Sequence, residues 1–355
     1  MKPAVPTSNK PARVGIWNGF VLALFAVYVL AVGVLAYFRV IGPEKWWLTG
    51  TLQYLPSWPL AVPGVFLLIP LLLLARRLRG AKGLILAASA VLVLWYAAGP
   101  QTGLAIHLTP HAPDATQEQP IRVLTYNVKF GHFDTSGAAQ QIKDAQPNLV
   151  LLQAAPDVSL GALASVLSPR DGWTVHQSGQ YVLASRWRLS DFTDLDISFP
   201  GSNHHAVRAV LHPPSGPPVT VYTVRFISPR SGLGAVRHRN LIGMEDNISG
   251  RLEEARLLAR MVQETTGPVL LAGDLNAPSS SLVCRELESA GLRDAWAQAG
   301  LGWGYTYGDD TKVRHAYVRI DHIMTSREFR VASVSVGDTG GSDHRPFIAD
   351  VCLPR

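Results

Sequence analysis

Close to the C-terminus stands Gly341-Ser342-Asp343-His344-Arg345-Pro346-Phe347, and some seventy residues upstream the apolar Val269-Leu270-Leu271-Ala272 runs into Gly273-Asp274-Leu275-Asn276. Aspartate next to histidine at one strand end, with aspartate and asparagine two apart at another, offers oxygen ligands for a hard cation, a general base and an amide to orient phosphate. That combination is suited to phosphoester chemistry. Alone, each fragment has a duller reading: Gly273 to Asn276 as a plain turn, Asp343-His344 ahead of Arg345-Pro346 as a loop. Two more fragments extend the set: Thr125-Tyr126-Asn127 closes a predicted first strand, and Arg319-Ile320-Asp321-His322-Ile323 shortly precedes the terminal one. Singly, Asp321 reads as a strand-end turn residue and Asn127 as a satisfied buried amide.

In this order, over roughly residues 120 to 355, the fragments resemble the endonuclease/exonuclease/phosphatase superfamily. The resemblance implies that His344 is the general base or a transition-state phosphate contact, with Asp321 holding its imidazole in the right tautomer. It implies that Asp274 orients or deprotonates the attacking water, that Asn276 and Asn127 position the phosphate, and that Asp343 is a metal ligand. The implied cofactor is Mg2+ or Mn2+. Two positions depart from the pattern. After Leu149-Val150-Leu151-Leu152-Gln153 the superfamily has a glutamate as principal magnesium ligand, and here Ala154 stands there. A methyl group cannot bind magnesium; Asp157, three residues on, is the first candidate for a substitute. In Val221-Tyr222-Thr223-Val224-Arg225-Phe226, Arg225 replaces a histidine that touches phosphate. Its guanidinium cannot serve as a base but suits bidentate phosphate contact.

From 225 to 239 the chain carries Arg225, Arg230, Arg237 and Arg239 with His238 and no acidic residue. It reads either as a solvated basic loop or as a clamp for a polyanionic headgroup such as a lipid phosphate or pyrophosphate. His132, His176, His204, His205 and His238 have no comparable support and read as surface histidines. Cys284 and Cys352 permit one disulfide, and nothing in the sequence forces it.

Composition divides the chain. Residues 14–38, 57–75 and 83–99 are apolar runs, read as three transmembrane helices ahead of a linker at 100–120 and a domain at 121–355. Pro59, Pro63 and Pro70 in the second run leave a re-entrant or kinked arrangement open, and buried globular helices or a cleaved signal peptide compete with the transmembrane reading. Lys2, Lys10 and Arg13 precede the first run, and Arg76, Arg77, Arg79 and Lys82 lie between the second and third. The positive-inside rule then predicts a multi-pass membrane protein with a cytoplasmic N-terminus and an extracytoplasmic C-terminal domain. Residues 1–100 hold 9 Lys+Arg against 1 Asp+Glu, leaving 23 against 25 for the remainder, so the formal charge of +6 belongs to the membrane region. A slightly acidic domain lacks the footprint of a nucleic-acid binder, and no nucleic-acid partner is expected.

In the domain, strands are predicted at 121–127, 148–153, 180–185, 206–211, 219–225, 268–272, 319–325 and 346–352. Helices are predicted at 136–145, 157–167, 249–264 and 281–290. Strands outnumber helices, which fits a doubly wound sheet poorly. The fold that the resemblance implies is an α/β sandwich of two mixed β-sheets with flanking helices, its motifs converging at strand ends. The layout is also similar to the membrane-anchored VanJ-like teicoplanin-resistance proteins. That kinship implies a phosphoesterase acting outside the cytoplasm on a phosphate or pyrophosphate ester of a lipid carrier, with the bilayer and a lipid-linked or small phosphate as partners. Competing readings are a catalytically weak relative that binds anionic headgroups or a partner protein, motivated by Ala154 and Arg225, and then a nuclease or sphingomyelinase-type enzyme.

Overall fold

The computed structural model describes residues 15–78, 80–106, 118–129, 135–155, 157–158, 161–199, 203–309 and 314–354. The chain divides into two compact units, residues 1–37 with 58–102, and residues 38–57 with 103–355. In the first unit, α1 (Ile16–Ile41), α3 (Val62–Leu78) and α4 (Gly80–Ala98) are the long helices; α2 (Trp47–Leu52) belongs to the second. Three helical stretches, Ile16–Ile41, Trp58–Leu78 and Gly80–Thr102, are long and apolar enough to cross a membrane by length and composition. Trp17, Phe66, Leu84 and Trp95 are exposed on them. The helix α3 continues through Pro70. It packs against α4 where a Cβ on Gly83 would fall 2.3 Å from the Ala75 carbonyl oxygen, so a larger residue would force the pair apart. Arg76 and Arg77 lie in the last turn of α3 and Lys82 in the first turn of α4, rather than in a loop, while Arg79 is outside the described residues.

Fourteen strands occur among the described residues of the second unit. The first seven are β1 (Ala105–Ile106), β2 (Glu118–Asn127), β3 (Leu149–Gln153), β4 (Thr174–Ser178), β5 (Tyr181–Ser185), β6 (Arg188–Asp196) and β7 (His205–His212). The others are β8 (Val219–Arg225), β9 (Val269–Asp274), β10 (Arg293–Asp294), β11 (Leu301–Gly302), β12 (Asp321–Thr325), β13 (Arg330–Val336) and β14 (Phe347–Pro354). One six-stranded sheet has the order β10-β12-β9-β8-β7-β6, the other β13-β14-β2-β3-β5-β4. Each contains one parallel pair, β8 with β9 and β2 with β3, among antiparallel neighbours, so both sheets are mixed.

Ile121, Val123, Leu149 and Leu183 of one sheet meet Val207, Val221, Leu270 and Ile323 of the other in the inner core. Alternation along each strand turns the remaining apolar residues outward, where helices cover them. Leu271 and Val224 lie under α8 (Leu241–Gln263) and α9 (Leu282–Ser289); Leu124 and Val150 lie under α5 (Ser136–Ala145) and α6 (Gly161–Val166). The strands and helices expected from the sequence are present, with α8 beginning eight residues earlier than expected and α6 covering only Gly161–Val166 of the expected 157–167, of which 159–160 lie outside the described residues. Strands β1, β4, β6, β10, β11 and β13 carry no predicted counterpart; β6, for example, has polar residues at most positions and lies at a sheet edge. The stretch from 225 to 239, read as a loop, contains the helix α7 (Arg230–Arg237). Cys284 and Cys352 are both buried, on α9 and β14, and form no disulfide.

Candidate active site at the strand ends

Three neighbouring strand ends set Arg225, Asp274 and Asp321 side by side: Arg225 is the register partner of Asp274 across β8 and β9, and Asp274 that of Asp321 across β9 and β12. Gly273 is required by the same pairing, because a Cβ there would lie 2.0 Å from the Val224 carbonyl oxygen. From the second sheet come Asn127 at the end of β2, Ala154 just after β3, and Asp343-His344 just before β14. Gln153 ties the two sheets together below this point, its Nε2 donating to Thr125 Oγ1 and Thr223 Oγ1, each at 3.0 Å.

His344 Nδ1 is 2.8 Å from Asp321 Oδ2, and its Nε2 is 3.9 Å from Asp274 Oδ2. Burial alone would push the imidazole pKa down, but the carboxylates of Asp321, Asp274 and Asp343 outweigh it and raise the value to about 9. The ring is therefore an imidazolium at neutral pH, with Nδ1 donating to Asp321 and Nε2 facing Asp274 at ion-pair distance. Asp274 is held by three donors: Asn127 Nδ2 at 2.8 Å and Asn276 Nδ2 at 3.0 Å on Oδ2, and Asn276 N at 2.9 Å on Oδ1. Burial pushes the Asp274 carboxyl above the usual range, against the opposite pull of His344, Arg225 and Asn127. Both amides thus orient Asp274, and Asn276 spends its other Nδ2 proton on the Phe226 carbonyl at 2.9 Å.

Asn127, Asp274, Asn276, Asp343 and His344 line one cleft of about 1150 Å³, while Asp321 is fully buried behind His344. Arg225, Arg230 and Arg237 line it too. Arg239 does not, and lies exposed beyond the end of α7. Arg225 Nη1 donates to Gln180 Oε1 at 3.2 Å, and its Nε is 3.8 Å from Asp274 Oδ2. Asp343 is held by Arg230 Nη2 at 3.0 Å and by Lys129 Nζ at 3.3 Å. Tyr307 sets its ring edge-on to His344, 5.0 Å between centroids.

Several of these wall residues escaped the sequence reading. Lys129 lies two positions past Asn127, and an i+2 lysine beside a motif asparagine was the available signal. His204, set aside as a surface histidine, lines the cleft and contacts the buried Glu254, with Nδ1 2.5 Å from Oε1. His176 stacks on Phe192, His205 packs edge-on to Tyr181, His238 is exposed, and His132 lies outside the described residues. Tyr54 had no signal at all: it comes from the segment between the first two long apolar helices. Its hydroxyl donates to the Asn276 carbonyl at 2.9 Å, and the buried Arg251 donates to the same carbonyl at 2.9 Å and to the Tyr54 hydroxyl. Lys129, Ala154 and Asn276, three non-glycine residues with left-handed backbone (φ 52, 45 and 47), all line the cleft. Such conformations cost of the order of 1 kcal/mol each and are kept where the surroundings fix them.

The residues around Ala154 fit a magnesium ion poorly. Ala154 is buried and offers no oxygen from its side chain, the exposed Asp157 is not part of the cleft wall, and the carboxylate of Asp343 is already engaged by an ammonium and a guanidinium. Asp274, Asp321 and His344 form a buried group whose ligand atoms lie within 4.8 Å of one another. Within it, His344 and Asp321 are joined through a proton and Asp274 is occupied by amides, so a hard cation would have to displace bonds already made.

The family model described as "Endonuclease/Exonuclease/phosphatase family" matches residues 124–344. Among solved structures, an endonuclease/exonuclease/phosphatase from Beutenbergia cavernae is similar at 20% identity and TM-score 0.51, covering 66% of this chain and 72% of that one. A mannosyl-6-phosphatase from Bacteroides thetaiotaomicron is similar at 14% identity and TM-score 0.51, with 65% and 99% covered. A 3' phosphatase from Neisseria, bound to product DNA hairpin, is similar at 19% identity and TM-score 0.51, with 64% and 98% covered. At these identities the likeness shows the fold. No curated protein matches the sequence. With the family model spanning both sheets and ending on His344, the chain belongs to the endonuclease/exonuclease/phosphatase family.

Proposed function

We propose that this chain is a membrane-anchored phosphoesterase that hydrolyses a phosphate or pyrophosphate ester of a lipid carrier outside the cytoplasm. Members of the family are hydrolases acting on phosphoester bonds, phosphatases and nucleases among them, and they generally use divalent metals. The observation that carries the reading is the Asp321–His344 pair aimed at Asp274 on the floor of a basic cleft. Asp274, oriented by three donors and made more basic by burial, takes a proton from a water whose oxygen bonds to phosphorus. The imidazolium Nε2–H stabilises the charge that develops on the phosphoryl oxygens, and Asp321 keeps the ring oriented and charged. The bond to the leaving oxygen breaks with its electron pair, and the proton on Asp274 returns to solvent.

Three features support a lipid-borne substrate. The domain is slightly acidic overall, while its cleft carries Lys129, Arg225, Arg230 and Arg237. Tyr54, part of the cleft wall, precedes Trp58 by four residues, and Trp58 opens the second apolar stretch. The similarity of layout to VanJ-like teicoplanin-resistance proteins adds the class of carrier, an undecaprenyl-type phosphate or pyrophosphate. Phosphate release by the purified full-length chain from an undecaprenyl pyrophosphate tests the proposal. His344→Ala and Asp274→Ala are each expected to lower turnover at least about a hundredfold. Undiminished turnover in either variant sinks the assignment.

Ala154 and the doubly neutralised Asp343 favour one second reading, a relative that binds a phosphorylated headgroup without turning it over. Binding of the same lipid with no phosphate released, with or without added magnesium, would select it.

A further inference from the structure

The geometry points to Lys129, Arg225 and Arg230 as a fixed cationic cradle that binds a phosphoryl dianion without a divalent metal, in the place where the family would use one. This deepens the phosphoesterase reading and rests on it for the identity of the ligand. Two things had to change together for such a site. The carboxylate that would anchor a metal is gone, as Ala154, and charged nitrogens sit against the carboxylate that remains: Lys129 Nζ at 3.3 Å and Arg230 Nη2 at 3.0 Å from the same oxygen of the buried Asp343.

Arg225 approaches Asp274 at 3.8 Å, and Tyr181 and Gln180 fix its backbone and its head. The three nitrogens come from different elements: the residue just past β2, the end of β8 and the start of α7. All three line the cleft that also holds Asp274 and His344.

Charge counting favours the same conclusion. Asp274, Asp321 and Asp343 carry three formal negative charges, and Lys129, Arg225, Arg230 and Arg237 of the cleft wall carry four formal positive ones. A dication added beside Asp343 would meet an ammonium and a guanidinium at ion-pair distance, where like charges repel. An incoming phosphoryl dianion instead meets a surplus of donors. Lys129 supplies a point charge, while Arg225 and Arg230 supply planar forks. The strained backbone at Lys129 (φ 52) holds that ammonium on the cleft side of β2, an arrangement unneeded for a solvated surface lysine.

The test is calorimetric titration of inorganic phosphate into the full-length, detergent-solubilised protein in excess chelator, then with magnesium. The expected result is binding in chelator that magnesium does not tighten, weakened about 10- to 100-fold in Lys129→Met and largely retained in Lys129→Arg. Thermal unfolding of each variant shows whether it is folded; a folded Lys129→Arg that binds keeps the proposal testable even if Lys129→Met is unstable. Ala154→Glu/Lys129→Met, which restores the carboxylate and removes the ammonium, is expected to bind phosphate only when magnesium is present.

Competition separates the sources of the phosphate: phosphatidic acid in mixed micelles displacing it better than glycerol phosphate assigns a lipid headgroup, and the reverse assigns a free phosphate. Binding seen only with magnesium, or unchanged in a folded Lys129→Met, overturns the cradle. Hydrolysis that is strictly magnesium-dependent with phosphate binding unaffected at Lys129 would leave the phosphoesterase reading standing without it. Metal-free binding with no hydrolysis would leave the cradle standing without the phosphoesterase.

Discussion

At His344, one imidazole faces Asp321, Asp274 and Asp343, and the resulting pKa near 9 separates the two roles that a histidine could have here. A general base must be neutral, so its rate would climb as pH rises toward 9. A cationic contact must be protonated, so its rate would hold at neutral pH and fall as pH passes about 9. The second behaviour is expected of kcat, and a rate that rises through that range would make His344 the base instead. The same pair has a linkage signature. Because the folded-state value lies above the ordinary 6.5, the stabilisation is complete below about 6.5 and is lost as pH rises through about 9. It amounts to at most about 3 kcal/mol. The melting-temperature gap between the wild type and Asp321→Asn should therefore shrink between pH 6.5 and pH 9.5; a constant gap would show that the pair is not ionic in the folded protein.

Among the elements, the segment from Phe38 to Ser57 has the least expected role. It joins two long apolar helices, yet it is grouped with the C-terminal domain and packs into it. Glu44 accepts a hydrogen bond from Leu282 N at 3.1 Å and another from Ser281 Oγ, which caps the start of α9. Tyr54 packs on Val318 and Ile320 and fastens the carbonyl of Asn276. Burial pushes the Tyr54 hydroxyl pKa up, so it remains a donor throughout the working pH range. Tyr54→Phe leaves the ring in place but strips a donor from the Asn276 carbonyl and an acceptor from the buried Arg251, at a cost of about 1 to 3 kcal/mol. Because Asn276 orients Asp274, kcat should fall while KM changes little. A Tyr54→Phe enzyme with wild-type kcat would reduce the contact to packing alone. A chain beginning at residue 103 loses the whole segment and should melt about 10 °C lower than the same domain in the full-length protein.

For the molecule as a whole, the testable statement is topology. Lys2, Lys10 and Arg13 flank one end of the first apolar helix, and Arg76, Arg77 and Lys82 gather where the second and third adjoin. The positive-inside rule predicts that the domain that carries the cleft lies outside the cytoplasm. Arg327 is almost fully exposed, with 91% of its side chain accessible, and both native cysteines are buried. An Arg327→Cys variant should therefore react with an impermeant maleimide in intact cells, against a low background. Protection of that position until the cells are lysed would invert the orientation. A second requirement of the whole domain is the ion network behind β12. Burial would raise the Asp294 carboxyl, but Arg319 at 2.8 Å and His322 at 2.9 Å hold it well below the usual range. Removing one partner, as in Arg319→Met, strands a buried charge and should destabilise the domain by about 3 to 5 kcal/mol.

Chemistry that depends on short spacing was already present in the sequence. Asp274 with Asn276, and Asp343 with His344, are fixed by one or two peptide units, and the apolar runs at β3, β8 and β9 announce buried strands whose polar ends must face a cleft. The long apolar helices are similarly local, since twenty or so uncharged residues suffice to identify them. What the sequence could not specify is every contact that depends on which strands become neighbours. Register alone sets Arg225, Asp274 and Asp321 abreast across three strands drawn from a hundred residues of chain. Only the close of the two sheets brings Lys129 to Asp343, and only α8 supplies Arg251 beside Tyr54. Periodicity also failed at α7, where two glycines and three basic or polar residues disguise a helix that only docking against α8 stabilises. Local pattern follows from the covalent chain, and Arg225, Arg230 and Arg237 already stand together in one short stretch, whereas their meeting with Lys129, Asp274 and Asp343 in one cleft exists only once the two sheets have packed.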